Sequence, residues 1–114
     1  MAQSRGEVWL VSLDPTIGDE IRKTRPAIIV SREAIGVLAL RIIVPITSWQ
    51  PRFQGCDWLV RLDPDDGNGL DKPSAVDTFQ VRSIATRRFV RLVGRVTASD
   101  LERVSEGLKT VLDI

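Results

Sequence analysis

Helical periodicity occurs once in this chain, at its C-terminal end. In "TASDLERVSEGLKTVLDI", from Thr97 onward, Leu101, Val104, Leu108, Val111 and Leu112 fall on one face of a helix. Two overlapping capping boxes, Thr97 with Asp100 and Ser99 with Glu102, mark its start. Gly107 weakens the helix by about 1 kcal/mol relative to alanine. Upstream of Thr97 the pattern is of short strands and turns, so the chain must fold as a small sheet closed by one helix.

The strands can be read in order. "EVWLVSL" (7–13) alternates and is closed by Asp14-Pro15. After a polar loop, "PAIIVS" (26–31) is a second strand, with proline allowed at its first position. A residue before proline favours extended backbone, which sets Arg25 at the strand's entrance. "SREAIG" (31–36) fits a single helical turn, and "LALRIIVPITS" (38–48) is a third strand with Pro45 near its end. "CDWLVRL" (56–62) alternates as a fourth, and "DPDDGNGLD" after it reads as a hairpin connection. "SAVDTFQV" (74–81) and "RFVRLVGRV" (88–96) complete the set. Five to seven short strands, long polar loops and a closing helix predict a mainly β fold, a strongly bent sheet or barrel.

The chain has 114 residues, which predicts a single domain, 1–114, able to bury a core without covalent staples. It is 43% hydrophobic and 27% charged, the balance of a soluble globular protein. No apolar run reaches the roughly 18 residues that cross a bilayer. Cys56 is the lone cysteine and "MAQSRGEVWL" lacks a signal-peptide pattern, so the expected location is cytoplasmic, away from membranes.

The net charge of +1 conceals an uneven distribution. Five arginines and no acid lie between Val81 and Arg95 (Arg82, Arg87, Arg88, Arg91, Arg95), whereas "DPDDGNGLD" is acidic. Arginine's planar fork suits phosphate, so a basic groove for nucleic acid is allowed; a solvated charged face is the plainer reading.

Several chemistries drop out on residue types. With no histidine and one cysteine, the usual zinc sites and Ser-His nucleophile pairs cannot be built. Neither common glycine-rich phosphate loop is present, and the Asp-rich stretch lacks the terminal glutamate of a calcium loop. A site without metal or cofactor is the economical expectation. The remaining polar groups cluster in "GDEIRKTRPAIIVS" (18–31) and "PITS": Asp19, Glu20, Arg22, Lys23, Arg25, Thr47 and Ser48. Such groups suffice for RNA transesterification, in which the substrate's own 2′-OH attacks phosphorus. A carboxylate accepts that proton, and arginine and hydroxyls stabilise the charged phosphorane. The donor to the departing 5′ oxygen stays open, because arginine releases its proton poorly.

Each residue also has a plainer role. Glu20 and Arg25 can be a solvated surface pair, and Thr47 and Ser48 can be turn residues. Trp49 suits stacking on an unpaired base, though exposed tryptophan also marks protein interfaces. Trp9 and Trp58, in alternating strands, are expected in the core.

Taken together, five stretches in register resemble the MazF/PemK family of toxin endoribonucleases over nearly the whole chain. They are "RGEVWLVSLDP", "GDEIRKTRPAIIVS", "IIVPITS", "GLDKPSAV" with "QVRSI", and "VGRVTASDLERVSEGLKTVL". The resemblance implies an SH3-like β-barrel that forms a homodimer. It also implies metal-independent cleavage of single-stranded RNA or mRNA to 2′,3′-cyclic phosphate and 5′-OH ends, and neutralisation by a cognate antitoxin. Carried over by position, the catalytic residues are Arg25, Thr47 and Glu20. Ser48, Trp49, Arg22, Lys23, Gln80 and Asp77 are the expected substrate-binding residues. One position departs: where a branch of the family has an aspartate before the glutamine, as its proposed base, this chain has Phe79. Asp77, two residues earlier, shares its face if that stretch is a strand. Two competing readings are a non-nuclease toxin on the same scaffold, like the gyrase-poisoning CcdB toxins, and an RNA-binding module using the 81–95 segment.

Overall fold

The computed structural model describes residues 3–33 and 38–114. Its elements are β1 (Glu7–Ser12), β2 (Thr24–Ile29), β3 (Leu40–Ser48), β4 (Leu59–Leu62), β5 (Ser74–Asp77), β6 (Arg82–Ala85), β7 (Phe89–Arg95) and α1 (Ala98–Leu112). The strands form one antiparallel sheet in the order β4-β5-β3-β2-β1-β7, with β6 pairing to β3 beside this path. The fold is thus mainly β with a C-terminal helix, as expected. The sheet does not close, so its barrel character is approximate: β4 and β7 are its two ends and do not pair.

β3 organises the sheet. Ile43 pairs with Ile29 of β2 on one edge and with Arg82 of β6 on the other, while Ile46–Ser48 pair with Val76–Ser74 of β5. Both faces of β2 and β3 are covered. Ile28, Val44 and Ile46 enter one core cluster with Val8, Leu62, Val76 and Val104; Ala27, Ile29 and Ile43 enter a second with Val11, Leu13 and Ile84. Burial on both sides is why these strands read as continuous apolar runs and not as alternation.

The gap between the sheet's ends is spanned by the β4–β5 connection. Arg95 N–H donates to Gly67 C=O at 2.8 Å, and a Cβ on Gly94 would lie 2.4 Å from that same oxygen. The loop is held from inside by fully buried Asn68, whose side-chain oxygen accepts from the N–H groups of Asp65 and Leu70. The Asp-rich stretch is therefore a hairpin connection, and it also docks on β7.

α1 starts at Thr97, whose side chain accepts from Asp100 N–H at 3.0 Å; of the two capping candidates, this one operates and Ser99 lies inside the helix. Gly107 has a positive reason to be there. A Cβ at that position would come within 2.9 Å of Thr78 Cγ2, so the glycine lets the helix settle on the turn after β5.

Two boundaries differ from expectation. β4 begins at Leu59, because Cys56–Trp58 form a turn in which Leu59 N–H donates to Cys56 C=O. Trp58 is consequently 37% exposed and not a core residue; its carbonyl instead accepts from Thr78 Oγ1 at 2.7 Å. Trp9 does pack, edge-on to Phe89 at 5.6 Å. The run 74–81 is not one strand, since it breaks into a single 3-10 turn at Thr78–Gln80. Alternation thus does not relate Asp77 to Phe79. The single helical turn expected over 31–36 falls largely outside the described residues. No helix among the described residues is long and apolar enough to cross a membrane.

Candidate functional site

β2 and β3 deliver the first group of polar side chains. The loop before β2 is pinned where Leu13 N–H donates to Lys23 C=O at 2.9 Å, with Lys23 in the left-handed region (φ 70). Arg25 then enters β2 opposite Val11, and its Nε donates to Arg22 C=O at 3.3 Å. Thr47 and Ser48 end β3, paired with Ala75 and Ser74. Thr24, Arg25, Thr47, Ser48, Asp71 and Lys72 line one cleft of about 220 Å³. The ion pairs among the described residues are Arg61–Asp63, Arg95–Glu7, Arg103–Asp100 and Lys109–Glu106, so the cations of the cleft are unpaired. A guanidinium and an ammonium that share a cleft with hydroxyls, neither of them in an ion pair with the Asp71 carboxylate that also lines it, form a ready receptor for a phosphate.

A second, wider groove of about 680 Å³ is lined by Asp19, Glu20, Ile21, Phe79, Gln80 and Arg82, with Pro45 at its floor. Its polar groups are largely committed. Gln80 Oε1 accepts from Ile21 N–H at 2.6 Å, while its Nε2 donates to Asp19 C=O at 3.3 Å and to Asp77 Oδ2 at 3.2 Å. Gln80 thereby fastens the 14–23 loop to the turn after β5. Asp77 caps that turn by accepting from Phe79 N–H at 3.2 Å. Burial pushes the Asp77 carboxyl above its ordinary range, against the pull of the bonds from Phe79 and Gln80. Phe79 is left 69% exposed at the groove's rim.

The structure thus brings together Arg25, Thr47 and Ser48, and separately Glu20 and Gln80. Glu20 does not line the Arg25 cleft, and its Oε1 accepts from Ile17 N–H at 2.8 Å within its own loop. Arg22 and Lys23 are exposed on the loop at the cleft's edge. Trp49 lies outside both lining sets: its ring meets Phe53 edge-on at 5.7 Å, with the Arg61 guanidinium 5.2 Å from its centre. Asp77 joins Gln80 through the turn and not through strand alternation. Lys72 had no role in the sequence reading. Its only signal was its place in "GLDKPSAV", and the fold that carries it beside Thr47 is not visible in one chain's pattern.

The arginine-rich segment is mostly structural. Arg88 donates to the carbonyls of Ser12 and Asp14, Arg82 to that of Leu13, and Arg95 to that of Arg5 with an ion pair to Glu7. Burial works against ionisation of Glu7, but donors from Trp9 and Ser4 together with Arg95 hold its carboxyl below the ordinary value. These arginines fasten β7, β1 and the first loop to one another.

Comparison with known proteins accords with this geometry. The family model described as "PemK-like, MazF-like toxin of type II toxin-antitoxin system" matches residues 4–112. The chain belongs to this family. Endoribonuclease MazF9 of Mycobacterium tuberculosis is 36% identical, over 96% of each chain. Endoribonuclease PemK of Escherichia coli is 37% identical over 95% of this chain and 80% of its own length. The crystal structure of MazF from Deinococcus radiodurans superposes with a TM-score of 0.84 at 26% identity, covering 100% of this chain and 99% of its own.

Proposed function

We propose that this toxin is an endoribonuclease that cuts single-stranded RNA, mRNA in particular, by transesterification. The 2′-OH attacks the adjacent phosphorus and leaves a 2′,3′-cyclic phosphate and a 5′-OH. The observation that carries this reading is the convergence of Arg25, Thr47 and Ser48 in one cleft, with the guanidinium in no ion pair among the described residues. Arg25 grips the non-bridging oxygens in two places, and the hydroxyl of Thr47 adds a donor as charge builds on phosphorus. None of these steps calls for a metal. Pro45 in the groove and Thr47 in the cleft are two residues apart on β3 and so share a face, roughly 7 Å apart along the strand. A strand of RNA crossing that face lays its scissile phosphate at Arg25 and the neighbouring nucleotide in the groove. There Glu20 accepts the 2′-OH proton, and the exposed ring of Phe79 offers a stacking surface.

As a toxin of a type II system, the chain acts as one domain, 1–114, in the cytoplasm. It works as a homodimer and is silenced by a cognate antitoxin that covers the RNA face.

The test is incubation of purified, antitoxin-free protein with a long, weakly structured RNA in EDTA, beside Arg25→Ala and Thr47→Ala. Discrete new 5′-OH ends, lost in both variants, are expected. Intact RNA with folded wild type would refute the nuclease reading and favour a non-nuclease toxin on this scaffold.

A further inference from the structure

We propose that Lys72 is a further catalytic residue of the cleft, its ammonium protonating the 5′ oxygen as that oxygen leaves phosphorus. The inference rests on the ribonuclease reading above and supplies the donor that reading lacks.

Three observations carry it. Lys72 lines the same cleft as Arg25, Thr47 and Ser48, reaching it from the β4–β5 connection, whereas Arg25 comes from β2. In the sheet order β3 lies between β5 and β2, so the two cations bracket the hydroxyls of Thr47 and Ser48 from opposite walls. The backbone at Lys72 is fixed from both directions: its carbonyl accepts from the buried Ser74 Oγ at 2.9 Å, and the next carbonyl, that of Pro73, accepts from Trp49 N–H at 3.0 Å. These bonds tie residues 72–74 to the end of β3. The ammonium itself has no carboxylate partner among the described residues.

The chemistry separates the two cations. As a class, ammonium groups release a proton at least about two orders of magnitude more readily than guanidinium groups. Lysine therefore suits the transfer and arginine suits the standing charge. The step balances without a co-reactant. The 2′-O–P bond forms as the P–O5′ bond breaks; the 2′-OH proton passes to Glu20 and an Nζ proton of Lys72 passes to O5′. The cleavage products are the cyclic phosphate and the free 5′-OH, and solvent then returns Glu20 and Lys72 to their starting forms.

A leaving group that needs no proton isolates this role. An oligonucleotide spanning the strongest cut mapped in the long RNA is made in two forms, with ordinary O5′ and with bridging sulfur at that position. On the oxygen form, Lys72→Ala is expected to cleave about 10²–10⁴-fold more slowly than wild type. On the sulfur form it is expected to match wild type within a few-fold, since a thiolate departs unaided. Arg25→Ala, which removes charge stabilisation, stays slow on both forms. Lys72→Arg keeps the charge without the ready proton and is expected to behave like Lys72→Ala. Equal losses of Lys72→Ala on both forms, or no loss on the oxygen form, would overturn the proposal. If wild type cuts neither form, the ribonuclease reading itself fails, an outcome separable from the others because the variants are then irrelevant. Lys72 is exposed, so its variants fold.

Discussion

The two depressions on the β3 face use similar side chains in opposite ways. In the groove, Gln80 donates and accepts across three partners and Asp77 is occupied by Phe79 N–H and Gln80. In the cleft, among the described residues, Arg25 makes one bond of 3.3 Å to Arg22 C=O, and Lys72 makes no ion pair. One set is engaged in holding the fold; the other keeps its hydrogen-bonding capacity for a ligand. The lesson is that a polar residue's type does not disclose its role, whereas the state of its donors and acceptors does. Arg88 and Arg25 are the same residue type in opposite roles: the first is a strut from the start of β7 to the end of β1 and the first loop, the second a receptor.

Exchanging the two sets in function gives the most severe test of the contrast. Arg25→Ala should lower cleavage by about 10²–10³-fold, the cost of losing one preorganised donor to a developing anion, while the melting temperature barely moves. Gln80→Ala should do the reverse. It leaves the Ile21 N–H without its acceptor and frees the loop, costing about 1–3 kcal/mol in stability, read by denaturant unfolding. Cleavage should fall far less than in Arg25→Ala. A Gln80→Ala protein of native stability would mean that the loop is held by something other than this amide.

How much of this was legible beforehand follows from what sequence patterns encode. The helix was, with its start narrowed to two capping candidates, because its period and capping residues are local. The doubly buried strands β2 and β3 were, because continuous apolar runs persist whatever packs on them. The break at Thr78 was not: "SAVDTFQV" has acceptable strand residues throughout, and the turn is imposed by Asp77 capping Phe79 N–H and by Thr78 reaching back to Trp58 C=O. Missing that turn hid the link between Asp77 and Gln80. Within the candidate site, Arg25 and Thr47 could be placed by their neighbours Pro26 and the end of β3. Lys72 could not, because its approach to Thr47 depends on β5 pairing with β3, a contact between distant segments.

Gly107 marks a smaller form of the same contrast, between local propensity and tertiary contact. Gly107→Ala adds about 1 kcal/mol of intrinsic helix preference but drives a methyl to 2.9 Å from Thr78 Cγ2, on a buried side chain held by its bond to Trp58 C=O. Overpacking of this kind costs about 1–3 kcal/mol, so the net should be a loss of about 1 kcal/mol in thermal or denaturant unfolding. A stabilised Gly107→Ala would show that α1 can lift from the Thr78 turn freely, and that the turn's position does not depend on the helix.

The subtlest difference between the two regions is in their response to pH. Asp77 sits where burial raises its carboxyl above the ordinary value of 3.8. Between the unfolded value and the raised folded one, the native state binds more protons than the unfolded chain, so stability falls as pH climbs through that interval. Below the interval both states are protonated and the contribution is fully present; above it both are ionised and the contribution is gone. Asp77→Asn removes this titration while keeping an acceptor for Phe79 N–H. The stability of wild type relative to Asp77→Asn should therefore decline as pH rises from about 3.8 and level off above the folded-state value, measured by urea unfolding at a series of pH values. A flat difference would mean that the bonds from Phe79 and Gln80 cancel the effect of burial. A rising one would mean that they exceed it, and that Asp77 is held ionised by the turn it caps.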